Sequence, residues 1–407
     1  MNTRSDRYDV VVVGAGIMGC AAAYHCAQDG KRVLILEQFA LGHALGSSHG
    51  GSRIFRYVHD RVDDAREMPA TFQLWRRLER DSGRNVLRMT GGLYMSPAAD
   101  TWITRAIPVL DALGWPYRLL RGAELRANYP QFAMPQDWIG VAQPDAGILS
   151  PPEAMAALLV EAQKRGTSLR EKCRVLDISP VGEGVRVLTA NGDSILAGRV
   201  IVCAGPWSSR LLERLVDFSI PLAVTRQQVA YFPVRDPALF EPKRCPIFVT
   251  AGTPHIYGFP IHERGKAIKV ALANDTKVGT DPDGPREVQP GLLAELCDVI
   301  RRHMVGVTPE PLIAEACLYT ETPTCRFVID RHPEFPQLVF AAGFSGRGFK
   351  HAIAIGRLLA DLAGEGAEAR TSPFWKEDYR ITRFADPVPP RTAARLRSSS
   401  SASSQGR

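Results

Sequence analysis

The sequence lacks the features that mark several classes of protein. Among its 407 residues, no run approaches the roughly 18 consecutive apolar residues that a membrane-spanning helix needs, and the N-terminus lacks the pattern of a signal peptide. The eight cysteines include no C-x-x-C pair and no zinc-ligand spacing. With 45% apolar and 23% charged residues, the composition excludes a disordered or coiled-coil chain. We therefore expect a cytoplasmic protein of more than one domain, without a membrane segment, a disulfide framework or a metal site.

The sequence also has only a small excess of positive over negative charge. The formal excess is +7, and four of the arginines lie in residues 391–407, which contain no acid. Residues 386–407 are rich in Ser and Arg and have almost nothing to bury, so they are predicted to form a disordered tail. Such a tail could contact nucleic acid or an anionic membrane, or it could serve only as a solubilising extension. The nearly balanced remainder indicates no nucleic-acid groove.

The clearest motif lies near the N-terminus. A β-branched run at residues 8–13 precedes the string GAGIMG at 14–19, an Ala-rich helix and a second apolar strand that ends at Glu37. The first glycine permits a tight turn, the second lets backbone approach a pyrophosphate, and the third lets the helix pack on the strand. Glu37 falls where an acid accepts hydrogen bonds from a ribose. Together these features predict an adenine dinucleotide site.

Further apolar runs predict two kinds of sheet. Residues 200–205 are predicted to form a buried strand that ends in small residues, of the kind that flavoproteins use as a returning strand, which favours FAD over NAD. Residues 338–343 are predicted to form the last strand of the same domain. Segments rich in β-formers predict an antiparallel sheet at 228–234, 246–250, 255–259 and 267–271. The predicted fold class is α/β with an α+β insertion: a Rossmann-type FAD-binding domain with an inserted antiparallel-sheet substrate domain. We expect the FAD-binding domain at 1–85, 146–220 and 322–385, and the substrate domain at 86–145 and 221–321.

Seven strings occur in one order along the chain: VVVGAGIMG (11–19), GSSHGGSRIFR (46–56), VIVCAGPW (200–207), IYGFP (256–260), ACLYTETP (316–323), VIDRHP (328–333) and GFSGRGFK (343–350). Through them the chain resembles the monomeric sarcosine oxidase family, which includes N-methyltryptophan oxidase and the peroxisomal sarcosine/pipecolate oxidases. The resemblance covers the chain from about Tyr8 to Phe384. It implies bound FAD, an amino acid substrate and oxygen as partners, and a monomer.

The resemblance implies a covalent flavin. Cys317, inside ACLYTETP, aligns with the family cysteine that bonds to the 8α-methyl carbon of the flavin. Such a bond requires a thiolate, and we expect nearby cations to lower the thiol pKa.

The resemblance also implies a carboxylate-binding pair. Arg56 and Lys350 align with the two basic residues that hold the substrate carboxylate over the flavin, an arrangement suited to an arginine fork and a compact ammonium. Arg53, three residues before Arg56, is expected to share one face of a helical turn with it. Arg53 resembles a family arginine near the flavin, and the alternative is an ordinary ion pair.

Lys269 aligns with the lysine on the side of the flavin where the family activates oxygen, and the alternative is a solvent-facing strand lysine. Tyr257 and Tyr319 resemble aromatic residues that wall the substrate cavity. Two positions depart from the family pattern. Arg347 stands where the family commonly has histidine in Ser-Gly-His-Gly, and Ala273 replaces a histidine four residues beyond the oxygen-side lysine. The departures put sarcosine itself in doubt and leave room for a larger or more acidic substrate.

The expected catalytic residues are Lys269, Arg56, Lys350, Arg53 and Tyr257. The expected cofactor-binding residues are Gly14, Gly16, Ile17, Met18, Gly19, Glu37, Gln38, Ser47, Ser52, Arg53, Val175, Cys317, Gly343, Gly346, Gly348 and Lys350. The leading hypothesis is an FAD-dependent oxidase of a secondary amino acid that forms an imine and hydrogen peroxide. Two alternatives stay open: a dehydrogenase or tailoring enzyme with another electron acceptor, and a flavin-binding subunit without turnover.

Overall fold

The computed structural model describes residues 7–213, 220–273, 279–364 and 371–384. The predicted tail at 386–407 lies outside these residues. The strands are β1 (Arg7–Val13), β2 (Val33–Leu36), β3 (Arg53–Arg56), β4 (Leu87–Met89), β5 (Gly92–Pro97), β6 (Arg118–Arg121), β7 (Trp138–Gln143), β8 (Ala146–Leu149), β9 (Ser168–Arg170), β10 (Val175–Val181), β11 (Gly184–Thr189), β12 (Ser194–Val202), β13 (Ala223–Pro233), β14 (Ile247–Thr250), β15 (Ile256–Phe259), β16 (Ala267–Leu272), β17 (Ile313–Glu321), β18 (Val328–Arg331) and β19 (Leu338–Ala342). The helices are α1 (Ile17–Gln28), α2 (Val62–Arg66), α3 (Met68–Ser82), α4 (Trp102–Leu113), α5 (Gly122–Asn128), α6 (Pro151–Lys164), α7 (Ser208–Leu212), α8 (Pro290–His303) and α9 (Ala352–Ala363).

The first sheet has a parallel centre. Strands β9, β2, β1, β12 and β19 lie side by side and are parallel, while β10, β11 and β18 extend the sheet in antiparallel fashion. The central strands consist of β-branched and other apolar residues because helices or sheet cover both of their faces. The predicted Rossmann-type parallel sheet is confirmed.

Helices α1 and α9 pack closely on this sheet. A side chain at Gly356 of α9 would place its Cβ 2.5 Å from the backbone carbon of Ala21 in α1, so only glycine lets the two helices approach this far. His25 of α1 also contacts the backbone oxygen of Ile353, 2.9 Å away and 328 positions along the chain. Helix α1, which follows the N-terminal glycine motif, is therefore held in place by α9.

The second sheet carries the predicted antiparallel strands. Its order is β17-β13-β16-β15-β14-β5-β7-β6, and its pairs are antiparallel except for β14 with β5, which is parallel. A parallel pair needs a long connection, and here the two strands come from segments more than a hundred residues apart. The antiparallel prediction is right for the four predicted strands, and the parallel junction was not foreseen.

The third sheet, with the order β3-β8-β4, corrects one expectation. Arg53 and Arg56 lie at the two ends of strand β3, opposite Leu149 and Ala146, and not on a helical turn. In a strand, residues three apart point to opposite faces, so the side chains of the two arginines contact different groups. The β-branched and aromatic residues between them favour the strand. This sheet joins segments assigned to both expected domains, and the division into domains stays a prediction.

Candidate active site

A cavity of about 1050 Å³ is lined by residues of both large sheets and the loops between them. Nearly all of the residues expected at the site lie in its wall: Gly14, Gly16, Ile17, Met18, Glu37, Gln38, Ser47, Ser52, Arg53, Arg56, Val175, Tyr257, Lys269, Cys317, Gly343, Gly346, Gly348 and Lys350. Gly19 is the exception, since it does not line the cavity. The fold therefore brings distant motifs into one cavity.

The glycines after β1 form a cradle at one end. Gly14 has φ +100°, and a Cβ there would lie 2.5 Å from the Cys203 carbonyl oxygen. A Cβ at Gly19 would lie 1.9 Å from the Gly14 oxygen, so this glycine sets the approach of α1 to the turn. Gly16 is the N-cap of α1, whose first turn carries no acidic residue, and the Ile17 N–H donates to Ser48 Oγ at 3.0 Å. The positive end of the helix dipole at this place suits an anion.

Glu37 follows β2 beside this cradle. One carboxylate oxygen accepts from the Ala15 N–H at 2.8 Å and the other from the Phe39 N–H at 2.9 Å, and His43 lies 3.5 Å away. Burial would raise the pKa of Glu37, but His43 and the two N–H donors outweigh it and hold that pKa below its ordinary value. Glu37 is therefore an ionised acceptor that also ties the second strand to the glycine turn.

Cys317 lies midway along β17, opposite Gln227 of β13. Burial raises the pKa of its thiol, although Arg53 and Lys269 act in the opposite direction. The expectation that cations lower this pKa is wrong in net direction, because desolvation of a thiolate exceeds the two attractions. Two cations nevertheless face the sulfur, which lies in the cavity wall.

Arg56 and Lys350 line the cavity in apolar surroundings. The Arg56 guanidinium stacks on the Trp102 ring at 4.5 Å and donates to the Val58 carbonyl oxygen. Lys350 is buried, and its Nζ donates to the Arg347 carbonyl oxygen at 3.0 Å. Burial lowers the pKa of both groups, and the charges of Arg56 and Arg347 lower the pKa of Lys350 further.

Arg347 adds a third cation to this end of the cavity. Its guanidinium donates to the backbone oxygen of Cys325, and its charge lowers the pKa of both Arg56 and Lys350. Buried His59 faces Arg56 and Lys350, and its Nε2 finds no hydrogen-bond partner among the described residues. Burial and these cations hold the pKa of His59 well below its ordinary value. The positive charge here is suited to an anion.

Lys269 points into another part of the cavity from β16. Its Nζ donates to Ser52 Oγ at 3.0 Å and lies 5.5 Å from the centres of the Tyr231 and Phe259 rings. Burial lowers the pKa of Lys269 to about 8, with Glu263 opposing and Arg53 adding to the shift. Lys269 is buried, so the alternative of a solvent-facing lysine does not hold.

Arg53 organises the loop before β3. Its guanidinium donates to the backbone oxygens of Ser52 at 2.8 Å, Ser47 at 2.8 Å and His49 at 2.7 Å. It also lies over the Phe349 ring at 5.5 Å. These contacts with carbonyl oxygens replace the ordinary ion pair considered as an alternative.

Comparison with known proteins agrees with this geometry. Residues 9–362 match the family described as DAO, FAD dependent oxidoreductase. The chain belongs to this family. It is 33% identical to human peroxisomal sarcosine oxidase, with 94% of this chain and 98% of the relative aligned. It is 33% identical to monomeric sarcosine oxidase of Streptomyces avermitilis, with 90% and 96% aligned. The structure of NikD, an unusual amino acid oxidase essential for nikkomycin biosynthesis, superposes with a TM-score of 0.80 at 26% identity, covering 91% of this chain and 97% of that chain.

The resemblance predicted from the strings is therefore confirmed, and the chain is an FAD-dependent oxidoreductase. Its residues fit the cofactor. The glycine cradle at Gly14 and Gly16 and the acid-free N-terminus of α1 suit a pyrophosphate. Ionised Glu37 lies beside them, and the other end of the cavity offers Cys317 and Lys269. The role of each of these residues stays a prediction.

In this FAD-dependent oxidoreductase, four further positions named from the sequence also have contacts in the structure: Ser47, Gly346, Tyr257 and Ala273. Ser47 Oγ donates to the Leu318 oxygen at 2.7 Å. A Cβ at Gly346 would lie 2.3 Å from the Tyr319 ring, so this glycine packs flat against the ring. Burial raises the pKa of Tyr257 well above its ordinary value, and its hydroxyl interacts with Tyr319. At the second departure, the Ala273 N–H donates to the backbone oxygen of His255, another wall residue.

Several wall or neighbouring residues were not identified from sequence. Trp102 covers Arg56 from helix α4, and no motif pointed to it. Glu263 lies 3.8 Å from Lys269 Nζ, and a charged turn directly after the IYGFP string was the available signal. His59 follows the GSSHGGSRIFR string closely enough to be a candidate. Residues distant in sequence meet here through sheet pairing, which single motifs do not reveal.

Some classes of site do not occur in the described part of the chain. There, no group of three or more His, Cys, Asp or Glu side chains is arranged to hold a metal ion. No helix within those same ranges is long and apolar enough to cross a membrane. All eight cysteines, each of which lies in the described ranges, are free thiols.

Proposed function

We propose that this FAD-dependent oxidoreductase is a sarcosine oxidase-like oxidase of a secondary amino acid, with an N-methyl or cyclic amine. In the overall reaction the substrate loses a hydride from carbon and a proton from nitrogen and becomes an imine, which water hydrolyses to an aldehyde and an amine when the amine is not cyclic. Oxygen takes up two electrons and two protons and becomes hydrogen peroxide. FAD, when bound, supplies the chemistry that accepts the two electrons and passes them to oxygen.

The observation that carries the proposal is the pair of Arg56 and Lys350 in one cavity. Lys350 is buried and Arg56 half-buried, and burial, together with the charge of Arg347, lowers the pKa of both groups. A carboxylate ligand would compensate this charge, and two contacts would fix its orientation. The names of the sarcosine oxidase relatives support an amino acid as the ligand.

Lys269 supports oxygen as the acceptor. At neutral pH most of the molecules carry a protonated Lys269, since its pKa is about 8. A fixed cation in a cavity with little water stabilises negative charge that develops on oxygen when it gains an electron. Its Nζ is held in the cavity by Ser52 and by the rings of Tyr231 and Phe259.

Cys317 supports covalent attachment of the flavin. The proposed bond joins its Sγ to the 8α-methyl carbon, with loss of the thiol proton, one methyl proton and two electrons. Oxygen, the proposed acceptor, takes the electrons. Arg53 and Lys269 lower the cost of forming the thiolate, although burial leaves the pKa raised.

Arg347 supports a substrate larger or more acidic than sarcosine. Its guanidinium contacts a backbone oxygen, and Arg347 lines the same cavity as Arg56 and Lys350. A second anionic group on the substrate would therefore meet a cation. A monomeric state, a cytoplasmic location and the discontinuous domain boundaries are further parts of the proposal, and they rest on the sequence.

The test is a panel of substrates given to the oxygen-free holoenzyme: sarcosine, N-methyltryptophan, L-pipecolate, L-proline and primary amino acids. We expect a secondary amino acid to bleach the flavin absorbance, and air to restore it with one peroxide per turnover. Bleaching without peroxide in air would favour the dehydrogenase. No bleaching by any amino acid would overturn the proposal and favour a subunit without turnover.

A further inference from the structure

Glu263 lies in the turn between β15 and β16, beside Lys269. One carboxylate oxygen accepts from the Tyr231 hydroxyl at 2.6 Å, and the other lies 2.7 Å from His262 Nε2 and 3.8 Å from Lys269 Nζ. The carboxylate rests against Gly51, where a Cβ would come within 2.3 Å of it. Because Gly51 has no side chain, the Glu263 carboxylate can occupy this space.

The surroundings of Glu263 favour its ionised form. His262 Nδ1 lies 2.7 Å from the Pro260 oxygen while its Nε2 faces the carboxylate at 2.7 Å. Burial would raise the pKa of Glu263, but His262, Lys269, Ser52 and Tyr231 hold it below its ordinary value.

Lys269, in contrast, occupies a place that disfavours its charge. It is buried, its hydrogen-bond partner Ser52 is neutral, and Arg53 repels it. Of the carboxylates that act on it, Glu263 has the largest effect. We propose that Glu263, held by Tyr231 and His262, is a positioning residue for the oxygen step that keeps Lys269 protonated at its buried place. This proposal rests on the oxygen-side role of Lys269 in the proposed function.

The other charged groups facing this pair come from three directions. Arg264, next to Glu263, stacks on the Tyr231 ring at 4.7 Å and pairs with Glu315 of β17. Cys317 of β17 and Arg53 of β3 also act on Lys269. In the loop before β3, burial and the charges of Arg53 and Lys269 lower the pKa of His49 to about 4, so His49 is neutral at neutral pH.

The experiment measures reoxidation of the reduced holoenzyme by oxygen in stopped flow as a function of pH. The protonated lysine is the active form, so the rate is high below the pKa of Lys269 and falls as pH rises through about 8. Loss of an opposite charge within about 4 to 6 Å typically moves a pKa by 1 to 3 units. Glu263→Gln should therefore move the fall to lower pH, and a shift of about 2 units would slow reoxidation about fiftyfold at pH 8. Below the new midpoint the rate should approach that of the unmodified protein.

Two further measurements separate this role from a structural one. The protonation of Lys269 is read directly by NMR titration of protein carrying [13Cε]lysine, with the signal assigned by its absence in Lys269→Met. The midpoint should fall in Glu263→Gln and recover partly in Glu263→Asp. Glu315→Gln, the matched control, removes a carboxylate with a weaker effect on Lys269 and should shift the midpoint much less.

An unchanged NMR midpoint in Glu263→Gln would overturn the inference, and so would a loss of reoxidation that is equal at every pH. Failure of the proposed function has a different signature. In that case Lys269→Met would leave reoxidation unchanged, or would slow reduction by substrate as much as reoxidation, whatever Glu263→Gln does.

Discussion

The clamp of Arg56 and Lys350 gives the prediction with the most direct test. Arg56→Met, Lys350→Met and the double variant are each titrated with a simple carboxylate that lacks the amine, and the flavin absorbance reports binding. At about 4 Å and an effective dielectric constant near 20, one ion contact contributes about 4 kcal/mol at most. Because a buried carboxylate loses one of two partners, each single change should cost about 2 to 4 kcal/mol, which weakens binding roughly 30- to 700-fold.

Coupling and pH sharpen this prediction. The double variant should lose less than the sum of the single losses, because both residues contact one group. The charged form of Lys350 binds the anion, so affinity is full below the lowered pKa of Lys350 and falls as pH rises through it. Arg56→Met removes a repelling charge and should move this fall to higher pH, while Lys350→Met should abolish it.

The control for the clamp is Arg118→Met, which alters an exposed arginine paired with Glu124. It should leave the inhibitor affinity and its pH dependence unchanged. If both Arg56→Met and Lys350→Met keep the affinity of the unmodified protein while flavin is bound, the clamp does not exist. The amino acid substrate would then lose its main support.

Three further predictions concern other parts of the cavity. Acid precipitation should leave flavin on the unmodified protein, whereas Cys317→Ser should release it to the supernatant; yellow supernatant from both proteins would exclude the thioether. Gly19→Ala should cost about 1 to 3 kcal/mol in unfolding free energy and reduce the flavin content, because its Cβ meets the Gly14 oxygen. A thermal melt with a flavin assay measures both, and an unchanged Tm would contradict the tight approach. Arg347→His should lower the kcat/KM ratio of acidic over neutral secondary amino acids about tenfold, or about 1.4 kcal/mol, and a constant ratio would place Arg347 outside the binding site.

The parts of the fold that were predictable depend on local patterns. The run before Gly14 consists of β-branched residues because β1 is buried on both faces, and the glycines after it follow from the close contacts of the turn. The strand at Arg53 and Arg56 was not foreseen, because a spacing of three residues is typical of a helical turn, whereas the β-forming residues between them favour a strand. Its pairing with β8 is a long-range contact.

Site residues that belong to a motif could be predicted from the sequence. Residues that reach the site only through packing could not. Lys269 was found from its string, but its partner Glu263 reaches it through the β15–β16 turn and the gap at Gly51. Trp102 meets Arg56 only through the packing of α4. The net direction of the Cys317 pKa also depends on burial, which exceeds the effect of the cations and cannot be read from neighbours in sequence.

The contact of α1 with α9 has a consequence for how the protein is made. His25 and Ile353 touch although 328 positions separate them, and β19 completes the parallel sheet only after most of the chain has left the ribosome. Contacts of such high sequence separation form slowly and leave apolar edges exposed during synthesis. The N-terminal strand and helix are therefore expected to stay partly uncovered until residues up to 363 have been made. Because Gly343, Gly348 and Lys350 line the cavity, the flavin site is complete only when that part of the chain has folded.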